Sequence, residues 1–103
     1  MPFDIRYDPE VKGHVLALGR RWSGLIRKTI EERLMHEPTV QTTNRKPLHE
    51  PAVLIDAWEI RFGPRGRFRV FYRTDAIRAV VSILAVGEKR GSRLYIGGKE
   101  SEP

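Results

Sequence analysis

The chain has no cysteine in its 103 residues, which excludes disulfides and thiolate metal sites. Its three histidines are scattered and form no recognisable metal spacing. It has no phosphate-cradling loop of the Walker type and no dinucleotide glycine fingerprint. No Ser/His/Asp order stands out. No apolar run approaches the roughly 20 residues that a membrane helix needs. The start, Met1-Pro2-Phe3-Asp4, lacks the basic head and apolar run of an export signal. Together these absences point to a cytoplasmic chain. If it is an enzyme, it works without a bound metal or organic cofactor.

What the chain does have is positive charge, unevenly placed. Lys and Arg number 19 against 13 Asp and Glu, a net charge of +6. Residues 1–57 carry nine basic against eight acidic side chains, and residues 58–103 carry ten against five. The field therefore belongs to the C-terminal half and favours a polyanion: nucleic acid, an acidic protein or an anionic surface. A basic surface that only keeps a small domain soluble is the plainer alternative.

The stretch from Trp58 to Tyr95 organises the rest. Trp58, Ile60 and Phe62 alternate with Glu59 and Arg61, so one strand face is apolar and the other charged. Gly63-Pro64-Arg65-Gly66 has turn chemistry. Beyond it Phe68, Val70 and Tyr72 alternate with Arg67, Arg69, Phe71 and Arg73. If both strands are regular, five arginines and Glu59 share a face with Phe71. A third strand is expected over Ile77 to Val86, with Asp75-Ala76 as the hairpin turn. Its two faces are both apolar, as in a central strand. A basic segment with Lys89, Arg90 and Arg93 follows, closed by Leu94-Tyr95.

Ahead of this lie a half-buried strand at Phe3, Ile5 and Tyr7, and a helix start at Asp8-Pro9-Glu10. Two amphipathic helices follow: Val11 to Leu18, then Trp22 to Met35, ended by Pro38. They read as a hairpin laid on the apolar face of the sheet, and their charges as a solvated face. A polar connection from Thr39 to Val53 returns the chain to the sheet, and its Asn44, Arg45 and Lys46 can touch a polyanion. His49 is close enough in sequence to Glu59 to reach the basic face. Residues 96–103 read as a short closing element and a frayed tail. The expected architecture is one α+β domain over residues 1–103: an N-terminal strand, a helical hairpin, then a three-stranded antiparallel sheet.

This order of elements resembles the RelE/ParE superfamily of bacterial toxins. The blocks that carry the resemblance are NRKPL at 44–48, WEIRFG at 58–63, RFRVFYR at 67–73, ILAVGEKR at 83–90 and RLYIGGKE at 93–100. The resemblance implies the RelE-like microbial RNase fold and the toxin of a type II toxin–antitoxin system. RelE-type members are metal-independent endoribonucleases (mRNA interferases) that block translation, many of them only on the ribosome. A cognate antitoxin, here expected to be acidic, neutralises them, and operator DNA is met only through the antitoxin complex. ParE-type members share the fold, poison DNA gyrase and lack the nuclease residues. A plain RNA-binding module is a third reading.

RNA cleavage by a 2′-hydroxyl needs a base, cations for the charge on phosphorus, and an acid for the leaving 5′-oxygen. By resemblance Arg69 is the phosphate contact and Tyr95 the C-terminal tyrosine, suited to stacking on a base or to proton transfer. Lys89 stands where the family usually has arginine, and its neighbour Arg90 can serve instead. Arg61 falls where one branch places a lysine, and arginine does not give up its proton at working pH. Glu59, on the same strand face, is the preferred base, with an ion pair to Arg61 or Arg69 as its alternative role. Arg65, Arg67, Arg73, Arg45 and Lys46 are assigned to RNA guidance, with Arg67 and Arg73 also suited to an acidic antitoxin.

Overall fold

A computed structural model describes residues 2–48 and 56–101; His49 and the end of the connection that carries it lie outside the described residues. Strand β1 (Asp4–Tyr7) leads into helices α1 (Val11–Ala17) and α2 (Arg20–Leu34). A short β2 (Arg45–Pro47), then β3 (Trp58–Phe62), β4 (Phe68–Asp75), β5 (Val80–Arg90), β6 (Arg93–Ile96) and β7 (Lys99–Ser101) complete one sheet. The fold is α+β, as the alternation of elements predicts.

The sheet is larger than the three strands expected. Its order is β2-β3-β4-β5-β6-β7, antiparallel throughout, with β1 added parallel to β5. β5 is the central strand, and it starts and ends later than the sequence suggests. Ile77, expected to open it, is 98% exposed in the turn that precedes Val80. That turn spans four residues rather than two, with Arg78 N–H donating to Asp75 Oδ1 and Ala79 at φ +55°. At the other end the strand runs through Gly87 to Arg90. The C-terminal residues up to Ser101 are paired rather than frayed, because β7 folds back on β6. α1 begins at Val11 without a side-chain cap, so Asp8 does not cap it. The Asp8 carbonyl instead accepts the Val11 N–H at 3.0 Å.

One edge of β5 is shared by two strands. β1 pairs with Val80 to Ile83, and β6 pairs with Gly87 to Arg90. Between them β5 has an extra residue, since Phe71 faces Ala85 while Tyr72 faces Ile83. The Val86 N–H falls in this gap and donates to His14 Nδ1 at 3.3 Å. A buried N–H without a partner is costly, so His14, given no role by its pattern, acts as a plug.

α1 and α2 cover one face of the sheet. Ile26, Ile30 and Leu34 meet Ile60, Phe62, Phe68, Val70, Tyr72, Val81, Ile83 and Val86 in the core. The even-numbered residues of β3 and β4 thus face the helices, as their alternation demands. Tyr72 is fully buried and its hydroxyl donates to the Pro38 carbonyl at 2.5 Å. Burial holds its phenol far above the usual range, against a smaller opposing effect of Arg45, so it acts as a neutral donor. Tyr72→Phe leaves that carbonyl unpaired and is expected to cost about 1–3 kcal/mol in urea unfolding. A loss under a few tenths would show that the bond contributes nothing.

Candidate functional site

One end of the sheet gathers seven of the ten basic side chains of residues 58–103: the end of β3, the following turn, the start of β4, the end of β5 and the start of β6. The turn is a single 3₁₀ turn, Pro64–Gly66. Gly63 enters at φ +83°, where a Cβ would lie 2.5 Å from the Phe68 ring, so glycine is needed there for space and for backbone. Arg65 takes φ +56° at the tip, an uncommon state for a side chain of its size. Gly66 closes the turn against Arg61 and Arg69, both of which a Cβ would meet at 3.8 Å.

The face away from the helices holds the first group. Glu59 lies opposite Phe71 and Arg61 opposite Arg69, and residues facing each other across an antiparallel pair share a face. Glu59 Oε1 binds Arg69 Nε at 3.0 Å, with both side chains 12% exposed. Lys46, opposite Glu59 on β2, reaches its other oxygen at 3.7 Å. Arg69 also donates to the Gly66 carbonyl, and Arg61 to the Thr43 carbonyl at 3.2 Å. Burial pushes the Arg69 pKa down, Glu59 opposes this and Arg61 adds to it; the guanidinium still stays charged at working pH. Lys89 follows Gly87, which lies opposite Arg69, so it belongs to this face too. The surface therefore pairs a carboxylate with guanidinium and ammonium groups around one half-open spot.

The second group lies on the helix side. Glu88 faces Phe68 across one edge of β5 and Tyr95 across the other. Its side chain is 3% exposed and is held by Arg67 Nε at 2.7 Å and by Arg90 Nη2 at 2.7 Å. Arg90 in turn lies 4.5 Å from the centroid of the Tyr95 ring, and Arg67 lies over Phe68 and Trp22 at 5.2 and 5.6 Å. Burial alone would raise the Glu88 pKa, but the hydrogen bonds from Arg67 and Arg90 outweigh it and hold the carboxyl below the usual range. A depressed folded-state pKa gives stability that is present above the unfolded value and lost as pH falls through the folded one. Urea unfolding at pH 7 and at about pH 3 is therefore expected to show a larger acid loss for the wild type than for Glu88→Gln, whose side chain does not titrate. Equal losses would remove Glu88 from the acid response.

Residues expected at one site thus fall on two faces at one end of the sheet. The expectation that five arginines share a face fails at Arg67, which has helical backbone (φ −60°, ψ −41°) and so escapes the strand's alternation. Tyr95 is on the opposite face from Arg69. Arg73 shares the Arg69 face but stands four residues along β4, about 13 Å away. Arg45 faces the helices beside Ile60 and ties down the carbonyls of Arg33, Glu37 and Val40. Arg65 has no side-chain partner among the described residues. The sequence does not single out Glu88, because a lone acid in a basic run looks like a solvated turn. The clue is the apolar alternation running on toward Gly87.

No model of a known family matches the chain, and no curated protein matches it. Solved structures do. A chain of the RelBE2 toxin–antitoxin complex from Mycobacterium tuberculosis superposes with TM-score 0.70 at 22% identity, over 86% of this chain and 100% of that one. An arginine-to-alanine double mutant of E. coli toxin RelE in the free state gives 0.63 at 20% identity, over 89% and 88%. A conserved hypothetical protein of Helicobacter pylori gives 0.60 at 15%, over 84% and 93%. The protein has a RelE-like fold. Among the described residues no helix is long and apolar enough to cross a membrane.

Proposed function

We propose that the protein is the toxin of a type II toxin–antitoxin pair and a metal-independent endoribonuclease acting on messenger RNA in the cytoplasm. The observation that carries this reading is the half-buried Glu59–Arg69 pair on the open face, flanked by Arg61 and Lys46. A phosphate arriving at Arg69 competes for the guanidinium fork and releases Glu59. Glu59 then takes the proton of the 2′-hydroxyl as that oxygen attacks phosphorus. Arg69 and Arg61 stabilise the charge that builds on the phosphoryl oxygens. Lys89, on the same face, protonates the departing 5′-oxygen. Arg65 at the turn tip guides the strand. The fold of the RelBE2 chain supports an antitoxin as partner. An apolar groove of about 560 Å³ between β1, α1 and α2, bordered by Val11, Val15, Leu16 and Ile26, suits an apolar helix of that antitoxin.

Induced expression of the wild type and of Arg69→Ala, with 5′-end mapping of total mRNA, tests the reading. New cuts that vanish in the variant support it. A second reading, non-catalytic inhibition of DNA gyrase, is favoured by the placement of Tyr95 on the far face from Arg69. Growth arrest without new cuts would replace the first reading by the second.

A further inference from the structure

We propose that Glu88 is a positioning residue that holds Arg90, and through it Tyr95, as a shelf for the RNA segment next to the phosphate at Arg69. This rests on the RNA reading above, but its test is separable from cleavage. A buried carboxylate is out of place in a surface meant for a polyanion. Its charge repels RNA, and its burial costs free energy unless both oxygens are paired. Here both are: Oε2 takes Arg67 Nε at 2.7 Å, and Oε1 takes Arg90 Nε at 2.9 Å and Nη2 at 2.7 Å. The fork from Arg90 fixes the guanidinium plane over the Tyr95 ring at 4.5 Å. Without Glu88, Arg90 is a mobile side chain on an exposed strand end, and ordering it on RNA costs rotamer entropy.

The backbone gives the arrangement its place. Glu88 and Tyr95 face each other across the β5–β6 pair, and Gly87, one residue back, faces Arg69. An RNA strand whose phosphate lies at Arg69 therefore needs only to pass over the end of β5 to meet Arg90 and Tyr95. Gly87 lets β6 pack close enough to place Tyr95 there, since a Cβ would lie 2.5 Å from the Tyr95 carbonyl oxygen and 2.9 Å from the Ile96 side chain. Planar groups such as Arg90 and Tyr95 suit a splayed base.

The sign of the effect separates positioning from plain ion pairing. Removing one negative charge from a polyanion-binding surface should tighten binding if charge alone matters. If Glu88 positions the shelf, Glu88→Gln should weaken it. The probe is a fluorescent single-stranded RNA methylated at every 2′-oxygen, so that it cannot be cleaved, read by anisotropy at fixed salt. We expect the Kd of Glu88→Gln to rise about tenfold and that of Glu88→Asp to recover part of the loss. With cleavable RNA, KM should rise similarly while kcat stays within about threefold. Arg90→Lys keeps the charge and the Glu88–Arg67 pair but loses the fork. It should weaken binding about fivefold, and it decides the matter if Glu88→Gln does not fold. Equal or tighter binding by Glu88→Gln and Arg90→Lys overturns the inference and leaves the nuclease reading standing. Wild-type protein that binds the inert RNA but cuts nothing removes the nuclease reading, and the Kd comparison still judges Glu88. Wild-type protein that does not bind the RNA overturns the inference.

Discussion

Replacing Arg69 with alanine is expected to lower RNA cleavage by at least about 100-fold, the usual scale for losing one preorganised donor to a transition-state oxyanion. The geometry makes the loss larger than that of a surface arginine. The Arg69 side chain is only 12% exposed, with its partner Glu59 at 3.0 Å. The truncation removes the proposed phosphate contact and, among the described residues, leaves Glu59 with Lys46 at 3.7 Å. Arg69→Lys separates charge from shape: it keeps a cation but not the planar fork. It should restore less than a tenth of the lost rate, measured on purified protein with an RNA that the wild type cuts. Full activity in Arg69→Ala would move the phosphate site away from this face.

The largest effect on stability is expected at Phe68. Its side chain is fully buried, edge-on to Trp22 at 5.1 Å and tilted against Phe62 at 5.8 Å. It joins α2 to the sheet at the point where the Pro64–Gly66 turn begins the second basic strand. Phe68→Ala removes a ring that the surroundings cannot replace, at a cost of about 3–5 kcal/mol. Small domains hold about 5–15 kcal/mol in all, so the variant should sit near the edge of folding. Urea unfolding should show a lower midpoint with an unchanged slope. A loss below about 1 kcal/mol would mean that the core closes over the cavity.

The strands whose hydrophobic period is two and whose partners are close in sequence are legible in the chain. Ile60, Phe62, Phe68, Val70 and Tyr72 need only their spacing to be placed in the core, and Pro64 between glycines marks the turn. Arg67 defeats the parity argument because alternation holds only while the backbone stays extended, and the turn keeps that residue helical. Gly87 looks like the end of a strand, whereas in the fold it lets β6 approach β5. The β6–β7 hairpin is hidden by its length, three to four residues a strand with Gly97-Gly98 between. Of the candidate site, the residue types are visible in the chain, but their division between two faces is not. That division depends on the register of β5 against β6, which no local pattern encodes.

The parallel pairing of β1 with β5 joins Asp4 to Val80 and Tyr7 to Ile83. Parallel contacts this distant along the chain carry the loop-closure entropy of everything between them. During synthesis the first strand must therefore wait, half apolar and without its neighbour, until residues beyond 80 have been made. The sheet end that carries Arg69, Lys89 and Tyr95 is assembled only after that. A chain interrupted earlier holds the basic residues of β3 and β4 without the strand that arranges them.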